Sequence, residues 1–162
     1  MLRNRSELVA AKRVVVKVGS SSISGANEHK IDKIVDALAA AHQRGQEVVL
    51  VTSGAIATGL PLLGLEVRPD DLATSQALAS VGQGRLISRY QQSLERYDII
   101  AGQVLLTAQD LEGEETTENA RRAMERLLEL RVIPIVNEND TVATAEIRFG
   151  DNDRLGALVA VL

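Results

Sequence analysis

The sequence predicts an α/β sandwich whose sheet is mainly parallel. Short runs of β-branched and other apolar residues alternate with segments whose apolar residues recur at helical spacing. That alternation builds a sheet with helices on its faces. Three of the apolar runs also end in small polar turns, at Lys17-Gly19-Ser20, at Thr52-Ser53-Gly54 and from Asn137 to Asp140. Parallel strands gather such turns along one sheet edge, where open α/β sheets bind ligands.

Arg13 to Val18 is the first strand, rich in valine, and β-branched residues suit a buried pleated surface. It runs into Gly19-Ser20-Ser21-Ser22, whose backbone N–H groups and hydroxyls suit a phosphate, with Lys17 as a point charge at the mouth. The P-loop spacing is absent, and alone the feature is also what an ordinary loop beside a snorkelling lysine looks like. Ile31, Ile34, Val35, Leu38 and Ala41 mark the first helix, and Gly45 stands where its C-terminal cap belongs. Glu47 to Val51 is the second strand, followed by Thr52-Ser53-Gly54-Ala55. Ser53 there reads either as a ligand group or as a plain helix N-cap. A small-residue helix from Ile56 to Leu65 is expected to break at Gly59-Leu60-Pro61.

Residues 70–96 are mostly helical, with Asp70 and Asp71 as candidate caps. Gly82 and Gly84 cost that helix about 1 kcal/mol each against alanine, and they mark a close crossing, a kink or a ligand approach. Ile99 to Leu106 is the third strand. Asp110 to Glu118 is an acidic loop or helix start, and Ala120, Met124, Leu127 and Leu128 form the next helical face. The fourth strand, Val132 to Val136, contains Pro134, so it meets an edge locally or pairs less regularly.

The stretch from Val136 to Asp153 holds two acidic–amide clusters, Asn137-Glu138-Asn139-Asp140 and Asp151-Asn152-Asp153. Between them Val142 to Phe149 alternates at period two and closes at Gly150, which reads as an extended segment. Folded back as a hairpin, it brings the clusters together, and the second leads into a helix near Leu155. Two solvated turns are the plainer reading of these residues.

Composition narrows the classes. The 162 residues, 45% hydrophobic and 25% charged, suffice for one domain with a core. There are no cysteines, which excludes disulfides and thiolate metal sites and favours a reducing compartment. No apolar run reaches the length of a membrane span, and no secretion signal is visible. A net charge of −4 with Tyr90, Tyr97 and Phe149 as the aromatics argues against nucleic acid. His29 and His42 read as surface residues. A cytoplasmic protein with a small-molecule ligand is expected.

Lys17-Val18-Gly19-Ser20, Val51 to Ile56, Val136 to Asp140 and Gly150-Asp151-Asn152-Asp153 resemble the motifs of the amino-acid kinase family in order and spacing. Ala79 to Leu86 and Asn119-Ala120-Arg121 do so too, and the resemblance covers essentially the whole chain. Within the family it points to the kinases of free L-glutamate. It implies ATP and Mg²⁺ as cofactors, with no metal ligand assigned in this chain. It implies that Lys17 contacts the transferred phosphate, with Gly19 and Ser20 beside it, and that Asp153 orients the catalytic lysines. Ser53, Gly54, Ala55, Asn137, Asp140, Asp151 and Asn152 then face the glutamate. Proline as feedback inhibitor, homo-oligomerisation or association with a C-terminal half are further expectations.

Family kinases continue for about a hundred residues more and carry a second catalytic lysine there. This chain has lysines only at 12, 17, 30 and 33. Residues 1–162 are therefore expected to be the N-terminal, substrate-binding portion of the kinase domain, without its nucleotide-binding portion and inactive alone. A catalytically silent glutamate-binding or regulatory module, or a family kinase for aspartate or N-acetylglutamate, are the alternatives. Asp140 favours free glutamate, whose α-ammonium it can pair.

Overall fold

The computed structural model describes residues 5–143 and 151–162. The regular elements are β1 (Arg13–Val18), α1 (Lys30–Gln43), β2 (Glu47–Thr52), α2 (Ala55–Leu62) and α3 (Leu72–Glu95). They continue with β3 (Ala101–Leu106), α4 (Glu114–Glu129), β4 (Ile133–Glu138) and α5 (Asp151–Val161). The four strands form one sheet in the order β1-β2-β4-β3, and every pairing is parallel. No helix among the described residues is long and apolar enough to cross a membrane.

Strand alternation divides the core into two layers. Val48, Leu50, Ile133 and Ile135 pack against Ile31, Val35 and Leu38 of α1 and Leu86, Tyr90 and Leu94 of α3. Val49, Val51 and Val136 turn the other way, onto Met124 and Leu128 of α4 and Leu155 and Val159 of α5. Helices on both faces are what a sheet of continuous apolar strands requires. α1 ends as expected: Gly45 takes φ 91°, and the Gly45 and Gln46 N–H groups bond back to His42 and Ala41, a Schellman cap.

Several expectations are corrected. α2 does not break at Gly59-Leu60-Pro61 but runs through to Leu62, with Pro61 one residue from its end. Asp71, not Asp70, caps α3, accepting from the Thr74 N–H at 2.8 Å. Pro134 lies in an inner strand and meets a local edge there, as its missing N–H led one to expect. Ile133 and Asn139 donate to Ile100 and Leu106 beside β3, so odd residues of β4 face β3 and Pro134 faces β2. Pairing with β2 covers Leu50↔Ile135 and Val51↔Val136 only, so the missing N–H falls where that ladder has not begun. His42 is half-buried rather than on the surface, its ring nitrogen 3.0 Å from the Arg131 carbonyl oxygen. The second acidic–amide cluster is not a turn before a helix but the first turn of α5. Most of the expected hairpin, residues 144–150, lies outside the described residues.

Candidate active site

β1, β2 and β4 are neighbours in the sheet, so their C-terminal ends and the three polar turns share one edge. Lys17 points to the α5 face. A Cβ built on Gly156 would stand 3.5 Å from Lys17 Cγ, and one on Gly19 would stand 3.6 Å from Lys17 Nζ. The ammonium ion-pairs with Asp153 in the first turn of α5. The Asp153 side chain is 75% exposed, so the pair adds at most about 1 kcal/mol of stability. Its effect is to place a cation at the strand ends. Of the serine turn, Ser22 spends its N–H on the Gly19 carbonyl oxygen at 3.0 Å.

The second turn lies against the first. Gly54 takes φ 106°, a conformation other residues adopt only with strain, and its missing Cβ would stand 3.6 Å from Ser20 Cα. Gly54, not Ser53, is the N-cap of α2, and no side chain caps the helix. The plain capping role for Ser53 is thereby removed. The first N–H groups of a helix have no partner inside it, so Gly54 and Ala55 are donors suited to a carboxylate oxygen.

At the end of β4 Asn137 is almost completely buried. Its Nδ2 donates to Gln83 Oε1 at 2.7 Å, and its Oδ1 accepts the Glu138 N–H at 2.9 Å. The same N–H reaches Asn152 Oδ1 at 3.3 Å. The two acidic–amide clusters therefore meet, through β4 and the start of α5. Asp151 opens that helix. Asp140 follows at the rim, where burial pushes its carboxyl above the usual aspartate range and the Arg68 charge pulls it partly back. Burial in turn lowers Arg68, against Asp140.

Lys17, Gly19, Ser20, Gly54 and Asp153 are thus brought together, as are Asn137 and Asn152. Arg68 and Gln83 escaped a sequence reading. Arg68 sits in the irregular link before α3, where no periodicity flags it. Gln83 had a signal: it lies on the buried stripe of α3 with Leu78, Ala79, Leu86 and Tyr90, and a polar residue there requires a partner.

Among the described residues no group of three His, Cys, Asp or Glu is placed to hold a metal ion. The donors present, one ammonium and backbone N–H groups beside glycines, fit phosphate oxygens.

The sequence model of the amino acid kinase family matches residues 12–162. The glutamate 5-kinase of Clavibacter sepedonicus is 69% identical over 159 residues, covering 98% of this chain and 61% of its own length. That of Leifsonia xyli subsp. xyli is 68% identical, over 98% of this chain and 59% of its own length. The Thermobifida fusca enzyme is 57% identical over 164 residues, 99% of this chain and 42% of its own length. The chain spans about 60% of the length of the first two relatives. It belongs to the amino acid kinase family.

Proposed function

We propose that the chain forms the glutamate-binding and phosphate-contacting part of a glutamate 5-kinase. Such an enzyme transfers the γ-phosphoryl group of ATP to the side-chain carboxylate of L-glutamate, the first step of proline biosynthesis. The observation that carries this reading is the shared sheet edge, where the Lys17–Asp153 pair, the Gly54 turn and the Asn137–Asn152 cluster converge.

The chemistry suits these residues. A glutamate side chain, with a reference pKa of about 4.3, is already ionised at pH 7, so no general base is needed. A carboxylate oxygen attacks the γ-phosphorus, the bond to the bridging oxygen breaks, and ADP leaves with that electron pair. Catalysis is then placement plus neutralisation of phosphoryl charge. Lys17 supplies one cation, Gly19 and Ser20 face the phosphate, and Asp153 orients the lysine. Ser53, Gly54 and Ala55 hold carboxylate oxygens, while Asn137, Asp151 and Asn152 line the amino-acid site. Asp140 pairs the α-ammonium. Mg²⁺ enters with the nucleotide, whose adenine and ribose are held by protein outside residues 1–162. A reaction on free glutamate and ATP fits the cytoplasm.

The test joins residues 1–162 to the remaining length of the Clavibacter sepedonicus enzyme. Hydroxamate formation is measured with ATP, Mg²⁺, hydroxylamine and each of glutamate, aspartate and N-acetylglutamate. Glutamate is expected to be the preferred acceptor. Preference for either of the others overturns the substrate assignment.

A further inference from the structure

Tyr90, on α3, is the one fully buried aromatic side chain among the described residues. Its hydroxyl lies 3.0 Å from Thr52 Oγ1, which in turn lies 3.2 Å from the Ser53 carbonyl oxygen. A threonine hydroxyl has one proton to give. Both contacts are hydrogen bonds only if Tyr90 donates to Thr52 and Thr52 donates to Ser53. The relay therefore starts in the core and ends on the peptide that joins Ser53 to Gly54.

A trans peptide is planar, with its N–H directed opposite its C=O, and no described peptide is cis. Drawing the Ser53 carbonyl toward buried Thr52 turns the Gly54 N–H the other way, out of the core. Gly54 needs such a tether because its left-handed backbone, φ 106°, belongs to the residue with the widest conformational freedom. α3 is well placed to supply it. A Cβ on Gly82 would stand 1.8 Å from the Ala55 carbonyl oxygen, so α3 and the first turn of α2 are already in contact. Burial raises the Tyr90 pKa to about 12, so the hydroxyl keeps its proton at every working pH.

We propose that Tyr90 is a positioning residue: through Thr52 it fixes the Ser53–Gly54 peptide so that the Gly54 N–H faces the amino-acid ligand. The ligand half of this statement rests on the glutamate reading above.

The experiment uses the 162-residue chain labelled with ¹⁵N, its Tyr90→Phe and Thr52→Val variants, and the double variant. Tyr97→Phe is the control, because it also removes a hydroxyl hydrogen bond, to Asp36 of α1, in the turn that follows α3. Without ligand, the Gly54 amide order parameter should fall in both relay variants and stay unchanged in Tyr97→Phe. On titration with glutamate, each relay variant should bind ~10-fold more weakly, the scale of one hydrogen bond. The double variant should be no weaker than the worse single one, since both break the same chain. Unchanged Gly54 order in both relay variants overturns the proposal whether or not glutamate binds, and so do additive losses in the double variant. If the wild-type chain binds no glutamate while Gly54 order still falls in the variants, the substrate reading fails and the tether itself stands.

Discussion

A carboxylate withdrawn from water is stabilised by taking up a proton, and Asp140 at the end of β4 is in that position, only partly relieved by Arg68. Its folded-state pKa is raised above the ordinary value of about 3.9, so the folded chain binds this proton more tightly than the unfolded one. The contribution to stability is present below about pH 4 and is lost as pH rises through the folded value. Asp140→Asn keeps the shape and removes that loss. The ligand-free variant should melt at or above the wild-type temperature at pH 7, with a flatter pH dependence between 4 and 7, and bind glutamate far more weakly. Melting curves across that range, with a glutamate titration, check both halves. A lower melting temperature with unchanged affinity would make Asp140 a structural anchor. Lys17 should behave in the reverse way. Its partner Asp153 is mostly exposed, so Lys17→Met should change stability by less than about 1 kcal/mol. In the joined enzyme it should lower kcat by on the order of 10²-fold, with a smaller change in glutamate KM. An unchanged kcat would reduce Lys17 to a solvated surface cation.

Two glycines on α3 separate packing from propensity at the level of the element. A Cβ on Gly82 would press into the Ala55 carbonyl oxygen and, at 2.6 Å, into the Gly59 nitrogen, while Gly59 itself meets Leu78 backbone. Those are main-chain atoms, so α2 must move. Gly82→Ala should destabilise by about 1–3 kcal/mol and weaken glutamate binding, because the displaced end of α2 carries the Gly54 turn. A Cβ on Gly84 would meet nothing within 4 Å, so Gly84→Ala should stabilise by about 1 kcal/mol through helix propensity. Denaturant unfolding of the two variants should give opposite signs, and a stable Gly82→Ala would contradict the close crossing. The glycines also mark the limit of the sequence. Strand and helix identities were legible because periodicity is local, as were the turns after β1 and β2, whereas β4 runs on through Asn137 and Glu138, which the sequence places in a turn. Which glycine meets another helix depends on how α2 docks on α3, and no local pattern carries that. The same holds for Arg68, which acts on Asp140 across 72 residues of chain. Gln83 and Tyr90 could have been noticed as polar atoms on a buried stripe, although their partners could not.

At the level of the whole molecule the sheet sets what residues 1–162 can do alone. α5 packs on β1, β2 and β4, and this packing brings Asp153 to Lys17 and Asn152 to β4. If the proposed reading holds, the isolated chain should bind glutamate. Phosphoryl transfer asks for more. No lysine follows Lys33, and the chain spans 61% and 59% of the length of two relatives, so on the proposed reading Lys17 is the one lysine these residues bring to the transferred group. Losing one preorganised donor costs on the order of 10²–10³ in rate, and the proposed reading places the adenine contacts outside these residues as well. Residues 1–162 assayed alone should give no hydroxamate above background from glutamate, ATP and Mg²⁺. Adding the remaining portion of the Clavibacter sepedonicus enzyme in trans should restore activity in proportion to complex formed, with glutamate affinity set by this chain. Equal turnover with and without that portion would show that these residues build a nucleotide site of their own, and the division of labour proposed for the sheet edge would have to be abandoned.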